Sequence, residues 1–142
     1  SMWKSSIPWI KDHLLLGSGP DTIKYMYPKY RLADYGVLEG GHNFTPDRLH
    51  NEYLNTLASK GVIGFISFYF GIVLFWFVFV IKDIYDAKAN ALRYLSMGCI
   101  GGIGIYLGQV LFNFGVVATL VLFYLLMGLA VAIKEIRNND IG

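Results

Sequence analysis

Two stretches of this chain carry no charged side chain, Gly61 to Ile81 and Tyr94 to Ile133. A helix needs roughly 20 apolar residues to cross about 30 Å of hydrocarbon. The first stretch is long enough for one span, and the second, about twice that length, for two. Soluble cores rarely use runs this long. The pattern therefore predicts an all-α integral membrane protein, an extramembrane helical loop region followed by three transmembrane helices. Only 15% of residues are charged, against about a quarter in an ordinary soluble domain. The expected limits are an extramembrane region over 1–60 with short amphipathic helices, spans over 61–81, 94–112 and 115–133, a loop over 82–93 and a tail over 134–142.

Charge sets the expected orientation. Lys82, Lys88 and Arg93 flank the first span, and Lys134 and Arg137 follow the third. Short basic flanks stay in the cytoplasm. Both clusters satisfy that rule if the second and third spans form a hairpin turning near Asn113-Phe114-Gly115. The first 60 residues then lie outside; their seven Lys and Arg are accompanied by six acids, and the rule weakens over long loops. A net charge of +2 is too small to suggest nucleic acid as a partner. The single cysteine, Cys99, excludes an intrachain disulfide and a CxxC metal site and reads as a packing residue. The opening Ser1-Met2-Trp3 reads as a cut piece of a larger protein, whose remaining transmembrane helices would be partners of these.

In the N-terminal region, Trp3, Ile7, Ile10 and Leu14 recur at helical spacing, with Lys4 and Lys11 beside them, as expected of a headgroup-interface helix over 3–15. Gly17-Ser18-Gly19-Pro20 stops that helix. It is read as a plain turn in preference to a phosphate-binding loop. Residues 21–44, rich in tyrosine and broken by Gly36, Gly40 and Gly41, are expected to form an ordered loop on the membrane face. Their tyrosines are read as interfacial rather than sugar-stacking residues. Thr45-Pro46-Asp47 then resembles a helix start, and a helix is expected to Lys60. On a wheel of about 100° per residue, Leu49, Tyr53, Leu54 and Leu57 form one stripe with His50 in its middle. Arg48, Glu52, Asn55 and Ser59 fall opposite. Gly98, Gly102, Gly104 and Gly108 give the second span two small-xxx-small pairs for a neighbouring helix. Gln109 and Asn113 are expected to hydrogen-bond across helices. No acid, base or histidine lies inside a span, which disfavours an ion or proton relay.

Chemistry-bearing groups are few. His13, His42 and His50 lack the i, i+4 spacing of a helical zinc site, and no nucleophile elbow or Walker loop is present. His50 stands out because it precedes a span on an extramembrane helix, although a lone inward histidine is more often structural.

The stretch IPWIKDHLLLGSGPDTI, followed by DRLHNEYLNTLASKGVIGFISF, resembles the C-terminal half of the O-antigen ligase and polymerase superfamily. That family shows a helix, a Gly-x-Gly-Pro turn, a variable extracytoplasmic loop, a His-Asn-x-Tyr-Leu motif, and Gly-x-x-Gly opening a span. The matching residues are Leu15 to Pro20, His50 to Leu54, and Gly61 to Gly64, within about residues 3–80. The second and third spans agree only in being apolar. The resemblance implies a multi-pass glycosyltransferase of the bacterial cytoplasmic (inner) membrane, with the N-terminal region extracytoplasmic. Such an enzyme moves a glycan from a polyprenyl-pyrophosphate carrier to an acceptor hydroxyl on a glycan, lipid or protein, with no cofactor and no catalytic metal. It assigns His50 to the acceptor side as the catalytic residue, with Asn51 and Tyr53 at the substrate. The family's pyrophosphate-binding arginine stands just before the position of Trp3, so this chain lacks it. Arg31 is the in-chain candidate for that role, because Arg48 falls across the wheel from His50. Pyrophosphate is already a good leaving group, so the protein chiefly supplies cations for it and a base or hydrogen bond for the hydroxyl. The rival expectation is a non-catalytic membrane packing or assembly module, suggested by the glycine-rich second span.

Overall fold

The computed structural model describes residues 2–33, 45–88 and 90–139. Tyr35, Gly36, Gly40, Gly41 and His42 lie outside the described residues. Among those described, all regular structure is helical: α1 (Met2–Asp12), α2 (Ile23–Tyr30), α3 (Glu52–Ile66), a π-helical stretch (Ser67–Leu74), α4 (Phe75–Asp86), α5 (Ala91–Gln109) and α6 (Val117–Asn139). The chain divides into two units, Ser1–Phe68 with Val110–Phe114, and Tyr69–Gln109 with Gly115–Gly142.

In the first unit α1 and α2 enclose a small core of Met2, Trp9, Ile23, Tyr27, Leu49 and Ala58. The helix α2 occupies residues expected to be loop. Its tyrosines and Pro28 are poor helix formers, but Ile23 and Tyr27, one turn apart, are both buried, so packing overrides propensity. Trp9 stacks on Tyr30 with 6.5 Å between ring centroids. The Tyr30 hydroxyl donates to Asp12 at 2.8 Å, and that bond, followed by burial and the nearby charge, raises the phenol pKa above its ordinary value.

In α1 the apolar stripe is not the buried face. That face is Met2, Ser5, Ser6 and Trp9, whereas Trp3, Ile7 and Leu14 are 41%, 49% and 48% exposed. Serines let the helix approach its neighbours closely. The Ser5 hydroxyl accepts from the Leu32 N–H at 3.2 Å, and the Ser6 hydroxyl donates to the Trp3 carbonyl at 2.8 Å. The apolar stripe is thereby left facing outward, as an interface helix requires.

In the second unit Val73, Trp76, Val80 and Ile84 form the buried stripe of the helical run ending in α4, and Phe123, Met127, Ala130 and Ile133 form that of α6. The Trp76 indole donates to the Met127 carbonyl at 3.0 Å. A buried ion pair joins Arg137 to Asp83. Most other large apolar side chains point outward, including Phe75, Ile105, Val117 and Leu125. An apolar exterior of this extent suits lipid, not water.

Glu52–Asp86 and Val117–Asn138 are long and apolar enough to cross a membrane. The second expected span, over 94–112, is not shown. Its residues do form most of α5, but five glycines, Ser96, Arg93 and Gln109 dilute that helix. The glycine expectation also needs correction. A Cβ on Gly102 would come within 3.0 Å of Leu126, so this glycine faces α6, whereas a Cβ on Gly98, Gly104 or Gly108 would meet nothing. Asn113 does not reach across helices; its Oδ1 accepts from the N–H of Phe114 in its own turn at 2.9 Å.

Candidate functional site

The expected helix from Pro46 does not form. Residues 45–50 are irregular and α3 begins at Glu52. Its N-cap is Asn51, in an extended conformation, whose side chain accepts from the Leu54 N–H at 3.0 Å. Two capping signals compete here, and Asn51 wins because His50 adopts φ 50. This left-handed geometry cannot continue a right-handed helix.

That turn is held from both sides through Leu49, which is fully buried. Its N–H donates to Asn55 Oδ1 at 2.8 Å, and its carbonyl accepts from the Trp3 indole at 2.8 Å. Asn55 is only 3% exposed and also donates to the Glu52 carboxylate at 3.2 Å. The inward face of α3 is thus Asn55, Thr56 and Ala58; of the expected stripe Leu49 is buried and Leu54 packs against the core, whereas Tyr53 and Leu57 are only partly buried. His50 is correspondingly exposed, not inward. With Leu49 fixed, its imidazole is presented at the surface on a rigid loop.

Val110–Phe114 completes the surroundings. The Glu52 N–H donates to the Val110 carbonyl at 3.0 Å. The ring of Phe114 meets His50 edge to face at 5.3 Å, and Phe112 lies 6.4 Å from Trp3. An exposed imidazole is therefore bordered by aromatic surface, an arrangement able to accept a hydroxyl proton while a ring packs beside it. Trp3, Asn55 and Val110–Phe114 were not among the expected site residues.

The Gly-x-Gly-Pro and Gly-x-x-Gly motifs meet directly. Gly61 has φ 65, which breaks α3 and interrupts the bonds that Ala58 and Ser59 carbonyls would make to Val62 and Ile63. The turn supplies substitutes for both sides. Ser18 and Gly19 N–H groups donate to Ala58 and Ser59 at 2.9 Å each, while Val62 and Ile63 donate to Leu14 and Leu15 at 2.8 and 3.2 Å. Such contact leaves no room for side chains. A Cβ on Gly17 would run into the Ser59 backbone, and one on Gly61 into that of Leu15. The Gly-x-Gly-Pro segment is thus a structural splice. Ser18 Oγ bonds Thr22 at 2.7 Å and Ala58 at 3.1 Å.

His50, Asn51 and Tyr53 come together on one segment, with Tyr53 packed 6.3 Å from Phe65. Arg31 stands elsewhere, at the C-terminal end of α2. Arg48 forms an exposed pair with Asp21 at 3.5 Å, an interaction of small energetic weight. Among the described residues no cluster of three His, Cys, Asp or Glu is placed to hold a metal ion.

The family model described as O-antigen ligase matches residues 1–69, a range that holds α1, the spliced turn, the His50 loop and the start of the first span. No curated protein and no solved structure matches the chain. Residues 1–69 are thus similar to the O-antigen ligase family, and the described residues are all-helical, with two helices long and apolar enough to cross a membrane.

Proposed function

We propose that this chain supplies the acceptor side of a glycosyltransferase that moves a glycan from a polyprenyl-pyrophosphate carrier to an acceptor hydroxyl, by ligation or polymerisation. The carrying observation is His50: exposed, in a left-handed turn, and fixed through a neighbour whose N–H and C=O are both bound by side chains. Nature seldom places a non-glycine residue at positive φ without surrounding structure that demands it, and such sites cluster at functional positions. In this reading His50 accepts the proton of the attacking hydroxyl. Asn51 and Tyr53 lie beside the acceptor, Arg31 is the in-chain group for pyrophosphate, and the pyrophosphate departs with the bonding electrons of the sugar–phosphate bond.

The test is transfer from lipid-linked donor in membranes holding the whole native protein, normalised to folded enzyme. General-base assistance is worth about 10²–10⁴-fold, so His50→Ala should lose roughly 10²-fold or more. The fold should survive, because His50 lies outside the core. Near-normal turnover per folded molecule would end the assignment. The reading also places residues 1–60 on the outer face of the bacterial inner membrane and the 82–93 loop in the cytoplasm. In a Cys99→Ser background, an impermeant thiol reagent on intact cells should label Lys24→Cys and spare Asp86→Cys, both exposed positions. The opposite labelling would place the His50 loop on the wrong face.

A packing or assembly module remains the second reading, favoured by one observation: Gly98, Gly104 and Gly108 face open space along α5. Full activity of His50→Ala would favour it.

A further inference from the structure

The last turns of α4 and the first turns of α5 border a cleft of about 430 Å³. Tyr85 and Arg93 lie at its loop end, Ile84 and Met97 in its middle, and Ile100 and Gly101 at its far end. From Arg93 to Gly101 is about 12 Å at 1.5 Å per helical residue. The lining is therefore polar at one end and apolar for two turns beyond, the profile of an amphiphile.

Two details sharpen the chemistry. Arg93 Nε is buried from solvent and has no hydrogen-bond partner. The carboxylates nearest in sequence are committed elsewhere, since Asp83 pairs with Arg137 and Asp86 lines a different cleft together with that pair. A guanidinium with an unmet buried N–H calls for an anionic oxygen acceptor. Gly101 supplies the second detail: a Cβ there would meet nothing within 4 Å, so the far end of the cleft is open space. Lys88, on the loop between the two helices, is exposed and adds to the positive field at that end.

We propose that this cleft binds one anionic phospholipid of the leaflet on the Lys82–Arg93 side, with its phosphate on Arg93 and one acyl chain lying past Ile84, Met97 and Ile100 to Gly101. Basic pockets between membrane helices recognise headgroups in this way. A free phosphate would satisfy Arg93 but leave the apolar walls uncovered. The lipid covers both, and in a bilayer its phosphate already sits at the depth where a helix-end arginine surfaces. The site belongs to the second unit and does not depend on the role of His50.

The test titrates the purified protein in mild detergent with phosphatidylglycerol, phosphatidylcholine or inorganic phosphate and counts retained ligands by native mass spectrometry. The wild type should retain phosphatidylglycerol in preference to phosphatidylcholine. Arg93→Gln should weaken phosphatidylglycerol by roughly tenfold or more and abolish the preference. Gly101→Phe should fill the far end and weaken both lipids. Gly104→Phe, on the same helix but outside the cleft and also facing open space, should change neither. Circular dichroism and size exclusion confirm that each variant is folded; should Gly101→Phe fail to fold, Arg93→Gln decides alone. Unchanged phosphatidylglycerol retention in Arg93→Gln, equal effects of Gly101→Phe and Gly104→Phe, or displacement of lipid by inorganic phosphate would each overturn the proposal.

Discussion

Gly61→Ala is the smallest change that attacks the splice between the turn and the first span. Gly61 has φ 65, and a Cβ added there meets the Leu15 carbonyl and comes within 2.6 Å of the Gly17 nitrogen. A left-handed alanine costs about 1–2 kcal/mol by itself. Forcing the methyl against backbone that cannot rotate away adds about 1–3 kcal/mol, so accommodation costs about 2–5 kcal/mol. The alternative is undocking. It forfeits four backbone bonds between residues 14–19 and 58–63, at about 0.5–1.5 kcal/mol each, or about 2–6 kcal/mol together. Either route destabilises by at least about 2 kcal/mol. Gly104→Ala is the matched control. It makes the same chemical change inside a helix where the new Cβ meets nothing, so loss of glycine flexibility should stabilise it by about 0.5–1 kcal/mol. Denaturant unfolding in detergent micelles, followed by tryptophan fluorescence, measures both, and limited proteolysis should cut Gly61→Ala first within the 14–19 turn. If the two variants shift stability in the same direction, or Gly61→Ala matches the wild type, the splice is not what holds this turn to the helix.

Two further substitutions probe single contacts. Asn55→Ala leaves the buried Leu49 N–H without its 2.8 Å acceptor, which should cost about 1–3 kcal/mol and lower glycan transfer per folded molecule; unchanged transfer per folded molecule would remove Asn55 from the support of His50. Arg137→Ala strands Asp83, whose side chain is 7% exposed, and should cost about 3–5 kcal/mol. The double variant Asp83→Leu/Arg137→Met, which buries no charge, should recover most of that on a thermal melt, and a double variant no better than the single would contradict the pairing.

Motif spacing made the pieces of the site legible and hid how they join. Leu15–Pro20 and Gly61–Gly64 are visible as glycine motifs, yet their function is to exchange backbone bonds between residues distant in sequence, and backbone bonding has no side-chain signature. Periodicity misjudged α3. There it turned His50, Tyr53 and Leu57 inward, whereas this chain buries Asn55 and Thr56, just as α1 buries Ser5 and Ser6 and turns Trp3 and Ile7 outward. In water the apolar face must be inside; beside a bilayer it has a second solvent, and small or hydrogen-bonded residues become the ones that permit close packing. The Thr45-Pro46-Asp47 cap misled similarly, because a local signal cannot report that Leu49 must enter a core built from α1 and α2. Position of the Val110–Phe114 turn was within reach. Placing both basic clusters on one side forces the hairpin near Asn113 to the same side as residues 1–60. In the structure Val110–Phe114 belongs to the same unit as Ser1–Phe68 and bonds Glu52 directly. The charge pattern of the loops thus anticipates that this turn can border His50, and it does so from residues that never touch the site.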